Sequence, residues 1–338
     1  MSSAIPDALR PAVDRGLMAA FGTTELDAIA PLSGGLSGAA VFRIRVGGVA
    51  YALRLTLGRD ALRDPARGFA CMTTAAQACL APTVRYASAE DGVAITDLVA
   101  QRPLADYPGD GGPLIVELAQ AIRLLHETPA FPPLTDYMAG MEELIALHRA
   151  SGLLDPASTA ELFERYAGLA CAYRTAPGDL VSSHNDINPG NVIYDGRRLW
   201  LIDWEAAFLA DRYVDLATTA NWLARDAAQE ALLLATYFGG PPSAEQRARF
   251  EVMKVVNHVF VGVIFLNTAA GEQPGVQPSD RTLAGPSLAR MRQGLGTGQV
   301  NFARWDDRVA YGKARLRHAL ELLRTPAVAR ALDAAQAD

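Results

Sequence analysis

The sequence predicts an α+β chain in two parts, a small antiparallel-sheet N-terminal lobe and a mainly helical C-terminal lobe. Three observations carry this. Between Phe42 and Leu57, apolar and polar residues alternate as in strands, on either side of a Gly47-Gly48 turn. From Pro113 onward, apolar residues recur at helical spacing, beginning with Leu114, Leu118, Ile122 and Leu125. Between the two patterns, Gln101 to Pro113 is polar and rich in Pro and Gly, which places the boundary between residues 1–99 and 100–338.

The elements follow in order. Residues 7–21 carry apolar side chains at helical spacing and read as a leading helix. Phe42, Ile44 and Val46 alternate with Arg43 and Arg45 as a half-exposed strand, and Val49 to Leu57 is its return. Just ahead lies Leu32-Ser33-Gly34-Gly35-Leu36-Ser37-Gly38, whose glycines let backbone N–H groups approach phosphate oxygens closely. This stretch fits neither the Walker sequence nor the dinucleotide fingerprint. Residues 65–80 read as a helix, and Thr83 to Tyr86 and Val93 to Val99 as strands around Glu90-Asp91-Gly92. Further helices are expected from Pro113, over 136–149 and 156–174, from Asp215, and over 226–238, 243–270, 302–324 and 326–336. Residues 271–298, rich in Gly, Pro and Gln, read as one long loop.

Composition narrows the function classes. A net charge of −6 argues against a nucleic-acid partner. Cys71, Cys79 and Cys171 are odd in number and match no metal spacing, so they read as buried thiols in a reducing compartment. The five histidines are scattered, without zinc-ligand spacing. The longest apolar run, Val259 to Leu266, is too short to span a bilayer, and Met1 to Pro11 has no apolar signal region. No membrane insertion and a cytoplasmic location are expected.

The chemistry concentrates between Val181 and Leu216. Here His184-Asn185-Asp186 is followed by Asn188-Pro189-Gly190-Asn191, then two short apolar runs about Asp195-Gly196, then Ile202-Asp203-Trp204-Glu205. Asp195-Gly196 is a hairpin-turn signal, and a hairpin closed there brings Asn191 and Asp203 together at its open end. Oxygen ligands from these two residues suit one magnesium ion. Asp186 then stands close by, clear of the metal, as a base. The spacing His-x-Asp-x-x-x-x-Asn, hairpin, Asp is a phosphoryl-transfer set.

On these residues the chain resembles the kinase-like small-molecule phosphotransferases, which include aminoglycoside phosphotransferases, choline/ethanolamine kinases and thiamine kinases. Asn185 and the run Leu201-Ile202-Asp203-Trp204-Glu205 look most like the bacterial choline-kinase branch. The resemblance implies a protein-kinase-like two-lobed fold that uses ATP and Mg2+. It implies that Ser33, Gly34, Gly35, Leu36, Ser37 and Gly38 cover the ATP phosphates, that Arg54 holds the α- and β-phosphates, and that the backbone from Asp97 to Val99 meets adenine. Asp186 is then the catalytic residue, Asn191, Asp203 and Glu205 the metal residues, and Asp215 the acid that braces the catalytic loop. Trp222 and Trp305 are candidates to cage a cationic substrate, with Tyr237, Phe238 and Phe260 behind them. From Asp203 to Glu230, six acids stand against two arginines, which favours a cationic substrate. One departure is plain: residues 65–80 should supply a glutamate to pair with Arg54, and they contain no acid.

The expected activity is ATP- and Mg-dependent phosphorylation of the hydroxyl of a small cationic alcohol such as choline or ethanolamine. A kinase for aminoglycosides, thiamine or sugars is served by the same core residues. A non-catalytic nucleotide-binding module is favoured by the missing helix glutamate and opposed by the intact Asp186, Asn191 and Asp203.

Overall fold

The computed structural model describes residues 5–32, 40–56, 58 and 60–335. The chain falls into two compact units, Met1–Leu134 with Leu180–Gly240, and Thr135–Asp179 with Pro241–Asp338.

The first unit opens with α1 (Arg10–Phe21). Strands β1 (Ala28–Pro31), β2 (Ala40–Val46), β3 (Val49–Leu55), β4 (Val84–Ser88) and β5 (Val93–Asp97) form one antiparallel sheet in the order β1-β2-β3-β5-β4. The expected alternation holds: Phe42, Ile44 and Val46 are buried while Arg43 and Arg45 are exposed. The buried set joins Leu53, Leu55, Val93 and Ile95 of the sheet to Val13 and Leu17 of α1 in one apolar core. Leu53 and Leu55 point into that core, so the strand pleat turns Arg54, between them, to the other face. Between β3 and β4 in the chain lies α2 (Pro65–Gln77), begun by Pro65 and capped by Asp64, whose carboxylate accepts from Ala66 N at 2.9 Å. Then α3 (Gly112–His126) buries Leu114, Leu118, Ile122 and Leu125, as the spacing predicts.

Helices α4 (Tyr137–Ser151) and α5 (Pro156–Ala172) belong to the second unit. The chain re-enters the first unit through β6 (Leu180–Ser183), β7 (Val192–Tyr194), β8 (Leu199–Leu201), β9 (Phe208–Asp211), α6 (Arg212–Leu223) and α7 (Ala227–Phe238). Strands β7 and β8 form the predicted hairpin, with Val192 opposite Leu201. Asp195 closes its turn by accepting from the N–H groups of Arg197 and Arg198 at 2.7 and 2.9 Å, and Gly196 takes the left-handed backbone with φ 95°. Strands β6 and β9 pair antiparallel, Ser183 opposite Phe208. The pairing of β6 with β9 escapes sequence reading, because strands this far apart in the chain leave no local signal of each other.

In the second unit, α8 (Ala244–Glu272) is the central helix, with α4, α10 (Trp305–Leu323) and α11 (Pro326–Ala335) packed on it. Ser243 and Gln246 close its N-terminus as a capping box. By length and composition α8 could cross a bilayer, but 72% of its most apolar window is buried against its own neighbours. It crosses α10 at two glycines: a Cβ on Gly312 would lie 2.9 Å from Gly262 O and 2.7 Å from Leu266 Cγ. The long loop expected over 271–298 contains a helix, α9 (Leu288–Gly296), which corrects that reading. Ser287 caps α9, and Gly294 is there because a Cβ would come within 2.5 Å of Val300 Cγ2, so the glycine marks a close approach and not a loop. The cysteines also differ from expectation, since only Cys71 is buried and Cys79 and Cys171 are exposed.

Candidate active site

The loop from His184 to Asn191 leaves β6 and enters β7, so both its ends are anchored in sheet. Its shape comes from its own polar side chains. Asn188 Nδ2 donates to Asp186 Oδ1 at 2.8 Å, and Asn191 Nδ2 donates to Asp186 Oδ2 at 2.8 Å and to Asp186 O at 2.9 Å. Gly190 N donates to Asn188 Oδ1 at 2.8 Å. The half-buried Asp186 carboxylate is therefore gripped on both oxygens. Desolvation, with the charge of Asp203 adding to it, pushes its carboxyl up to about 6, against the downward pull of Asn188, His184 and Asn191.

The loop is held to its surroundings by Asp215 and by its own first two residues, His184 and Asn185. Asp215, fully buried at the first turn of α6, accepts from His184 N at 2.9 Å and Asn185 N at 2.7 Å. It also meets His126 Nε2 at 3.1 Å, while His126 Nδ1 meets the Tyr237 hydroxyl at 2.7 Å. Burial works to raise the Asp215 carboxyl, but His126 and His184 hold it below the usual carboxylate range. His184 Nε2 donates to Ile202 O at 2.9 Å, and Asp186 N donates back to His184 Nδ1 at 3.3 Å, which sets the Nε2–H tautomer. Asn185, with φ 64°, donates to Ala206 O at 2.9 Å. The bracing expected of Asp215 is thus a pair of backbone hydrogen bonds. The relay through His126 and Tyr237 was invisible in sequence, since α3 and α7 lie far apart in the chain.

Ile202 N donates to Asn191 O at 3.0 Å, which closes the hairpin and brings Asn191 beside the next residue, Asp203. Asp203 sits in left-handed backbone, φ 65°. Among the described residues, Cys79, Asn185 and Asp203 are the non-glycines with positive φ, and two of them lie in this stretch. Backbone held in that region by its surroundings is a mark of functional sites. A single helical turn, Trp204–Ala206, then brings Glu205 round to the same side.

Arg54 supplies the missing counterpart. Its Nη2 pairs with Asp203 Oδ1 at 3.0 Å and with Glu205 Oε1. All three side chains are between 19% and 25% exposed. The acid that α2 lacks therefore comes from the segment after the hairpin. Helix α2 still packs on that segment: Arg67 Nη1 donates to Ala207 O at 2.6 Å, Cys71 Sγ lies 3.5 Å from the same oxygen, and Gly68 faces Trp204 O. Burial lowers the Arg67 guanidinium and pushes the Cys71 thiol up to about 12. A cavity of about 40 Å³ remains between Arg54, Asp64, Gly68, Phe69, Asp203 and Glu205.

The other expected residues fare as follows. Ser33, Gly34, Gly35, Leu36, Ser37 and Gly38 lie outside the described residues. Asp97 donates its N–H to Thr83 O at 2.9 Å and its carboxylate is held by Arg85 at 2.7 Å, and Val99 lies half-buried in the irregular backbone that follows. Trp222 is half-buried on α6, in the first unit. Trp305 opens α10 in the second unit and donates Nε1–H to Ala269 O at 2.9 Å. Tyr237 is buried against Phe238, edge to face, and Phe260 packs on Tyr137, which makes these three part of the packing. The acid excess from Asp203 to Glu230 is also largely accounted for. Asp211 and Asp226 cap helices, Asp215 braces the loop, and Asp203 and Glu205 meet Arg54. It therefore lends little to a cationic substrate.

The donor set fits magnesium. The Asn191 amide nitrogen is taken by Asp186, which leaves its oxygen for a cation beside the carboxylates of Asp203 and Glu205. All three are hard oxygen ligands, and no thiol or imidazole stands among them.

The model of the phosphotransferase enzyme family matches residues 28–250, two thirds of the chain and all of the loop just described. No curated protein matches the sequence. Solved structures show the fold. A choline/ethanolamine kinase family protein from Mesorhizobium loti has TM-score 0.69 at 22% identity, over 98% of this chain and 99% of that one. Choline kinase LicA from Streptococcus pneumoniae has TM-score 0.62 at 15% identity, over 94% and 99%. Spectinomycin phosphotransferase APH(9)-Ia, in complex with ADP and spectinomycin, has TM-score 0.57 at 12% identity, over 90% and 98%. With its small antiparallel sheet, its mostly helical remainder and the polar loop between β6 and β7, this chain belongs to the phosphotransferase enzyme family and is a small-molecule kinase of protein-kinase-like fold.

Proposed function

We propose that the chain transfers the terminal phosphoryl group of ATP to the hydroxyl of a small alcohol, with choline or ethanolamine the leading class. The observation that carries this is the double grip on Asp186 by Asn188 and Asn191, with Asn191 tied in turn to the Asp203 segment. A base and a metal-binding edge are thereby fixed in one piece. Phosphoryl transfer asks for this kind of alignment and charge placement more than for covalent help.

In this reading the substrate hydroxyl donates to Asp186, which orients it in line with the terminal phosphorus. The hydroxyl oxygen forms the new P–O bond, the bond to the β-phosphate oxygen breaks, ADP leaves, and the hydroxyl proton passes to Asp186. Asn191, Asp203 and Glu205 would hold magnesium, which supplies neutralisation of phosphate charge. Asp215 and His126 keep the loop backbone from moving as charge develops. A carboxyl raised to about 6 is a better proton acceptor than an ordinary aspartate, yet is still ionised at neutral pH.

The choline-type assignment draws on Glu205, two residues after Asp203, on Trp222, seven residues after Asp215, and on likeness of fold to choline/ethanolamine kinases. Likeness to a spectinomycin phosphotransferase keeps antibiotic alcohols in the test. A cytoplasmic location fits an enzyme that draws on ATP and carries three free thiols. The deciding experiment measures ADP release with Mg2+ and ATP against choline, ethanolamine, thiamine, aminoglycosides and simple sugars. A large stimulation by choline or ethanolamine is expected. Stimulation by another member of the panel alone would overturn the substrate class. Silence with every acceptor, together with failure to bind MgATP, would overturn the kinase reading.

A further inference from the structure

We propose that Arg54 is a resident counter-ion of the metal site: before nucleotide arrives its guanidinium neutralises Asp203 and Glu205, and the divalent cation must displace it. This rests on the kinase reading and deepens it. Three observations lead to it. One nitrogen, Nη2, meets both carboxylates, Asp203 Oδ1 at 3.0 Å and Glu205 Oε1. No acid on α2 draws Arg54 elsewhere, since residues 65–77 contain none and Asp64 is occupied in capping that helix. Finally, the segment is built to bring the two acids together, through the left-handed backbone of Asp203 and the single turn that follows.

The physical consequence is an exchange. Two carboxylates three-quarters or more buried repel each other strongly in reduced dielectric, so the pair is stable only with a cation between them. In the free protein Arg54 is that cation. A divalent ion arriving alone must displace an ion pair already formed and leave a half-buried guanidinium without its partners. A divalent ion arriving with a nucleotide meets no such cost, because the phosphates offer the guanidinium oxygens in place of the carboxylates. Metal and nucleotide binding are therefore positively coupled through Arg54, each favouring the state in which the guanidinium has left Asp203 and Glu205. Where a helix glutamate would hold the phosphate-binding cation apart from the metal site, here the two are one unit.

The test is Mn2+ binding to the full chain, followed by electron paramagnetic resonance, with and without ADP. Removing the competitor should tighten nucleotide-free binding, so Arg54→Gln and Arg54→Met should each bind Mn2+ about tenfold more tightly than wild type, and ADP should enhance that binding less. Affinity equal to or weaker than wild type in folded variants would overturn the proposal. The wild-type chain provides a second readout that no folding defect can touch. The Arg54 Nε–Hε nitrogen resonance should shift on Mg2+ addition and again on addition of ADP, and an unmoved resonance at saturating Mg2+ and ADP would also overturn it. If wild type fails to bind Mn2+ even with ADP, the kinase reading itself fails. If it binds Mn2+ with ADP while the variants gain nothing, only the role of Arg54 fails.

Discussion

The side-chain amide of Asn191 donates to Asp186 Oδ2 at 2.8 Å, so the residue proposed to hold a cation also holds the proposed base. Substitution of Asn191 should therefore disturb both functions, and substitution of Asp186 chiefly one. Asp186→Asn is isosteric but cannot take a proton and gives up one of the two amide hydrogen bonds, and kcat should fall roughly 10²- to 10⁴-fold with MgATP affinity little changed. Asn191→Ala should lower kcat and also raise the Mg2+ concentration needed for half-maximal rate. Titrating Mg2+ against initial rate in both variants checks this, and an unchanged Mg2+ requirement in Asn191→Ala would separate Asn191 from the metal.

Asp215 should matter for stability before it matters for chemistry. Replacing it by Ala leaves the N–H groups of His184 and Asn185 and the ring of His126 without their acceptor in a fully buried place. The expected loss is about 3–5 kcal/mol, read as a drop in urea midpoint. His126→Gln should cost less, since it leaves both backbone bonds in place. Equal losses in the two variants would mean that those bonds contribute little.

Two buried histidines make the second unit sensitive to mild acid. Burial, aided by Arg149, lowers His148 to about 4, and burial, aided by Arg315, His318, Arg292 and Lys254, lowers His258 well below the usual imidazole value. Both stay neutral in the folded chain. As pH falls below about 6.5 the unfolded chain takes up protons that the folded chain refuses, so stability falls. For His148 alone the loss should reach about 2 kcal/mol by pH 5 and level off near pH 4, where the folded form titrates too. Urea unfolding at pH 7.5 and pH 5 measures it, and His148→Gln should flatten part of the slope. A slope identical to wild type would remove His148 as a cause.

The crossing of α8 and α10 depends on having no side chain at Gly262 and Gly312. A Cβ at Gly262 would stand 2.6 Å from Leu316 Cδ2 and 3.1 Å from Gly312 O. Gly312→Ala should force the helices apart and cost about 1–3 kcal/mol despite the better helix propensity of Ala. Thermal unfolding of the variant decides it, and a raised midpoint would show that the helices can part freely.

Much of the architecture was legible without coordinates. Alternation in β2 and β3, helical spacing in α3 and the Asp195-Gly196 turn are local patterns, and local sterics and burial dictate them. The spacing of Asp186, Asn191 and Asp203 was legible for a related reason: a short hairpin has few ways to close, so sequence distance nearly fixes spatial distance. Helix α9 was missed because Gly294, which reads as a loop signal, serves a close approach to Val300.

By itself, then, the sequence determined which residues are candidates for the chemistry and the order in which they meet the hairpin. Only the tertiary structure decided who holds them. Arg54 finds its acids 149 and 151 positions away in the chain, and His126 reaches Asp215 across 89. Such pairings leave no mark on local pattern, because they depend on how a sheet, two helices and a hairpin pack and not on the spacing of neighbours. The acids after Asp203 make the same point. Counted along the sequence they look like a cationic-substrate surface, and once folded, five of the six are capping helices, bracing a loop or pairing with Arg54.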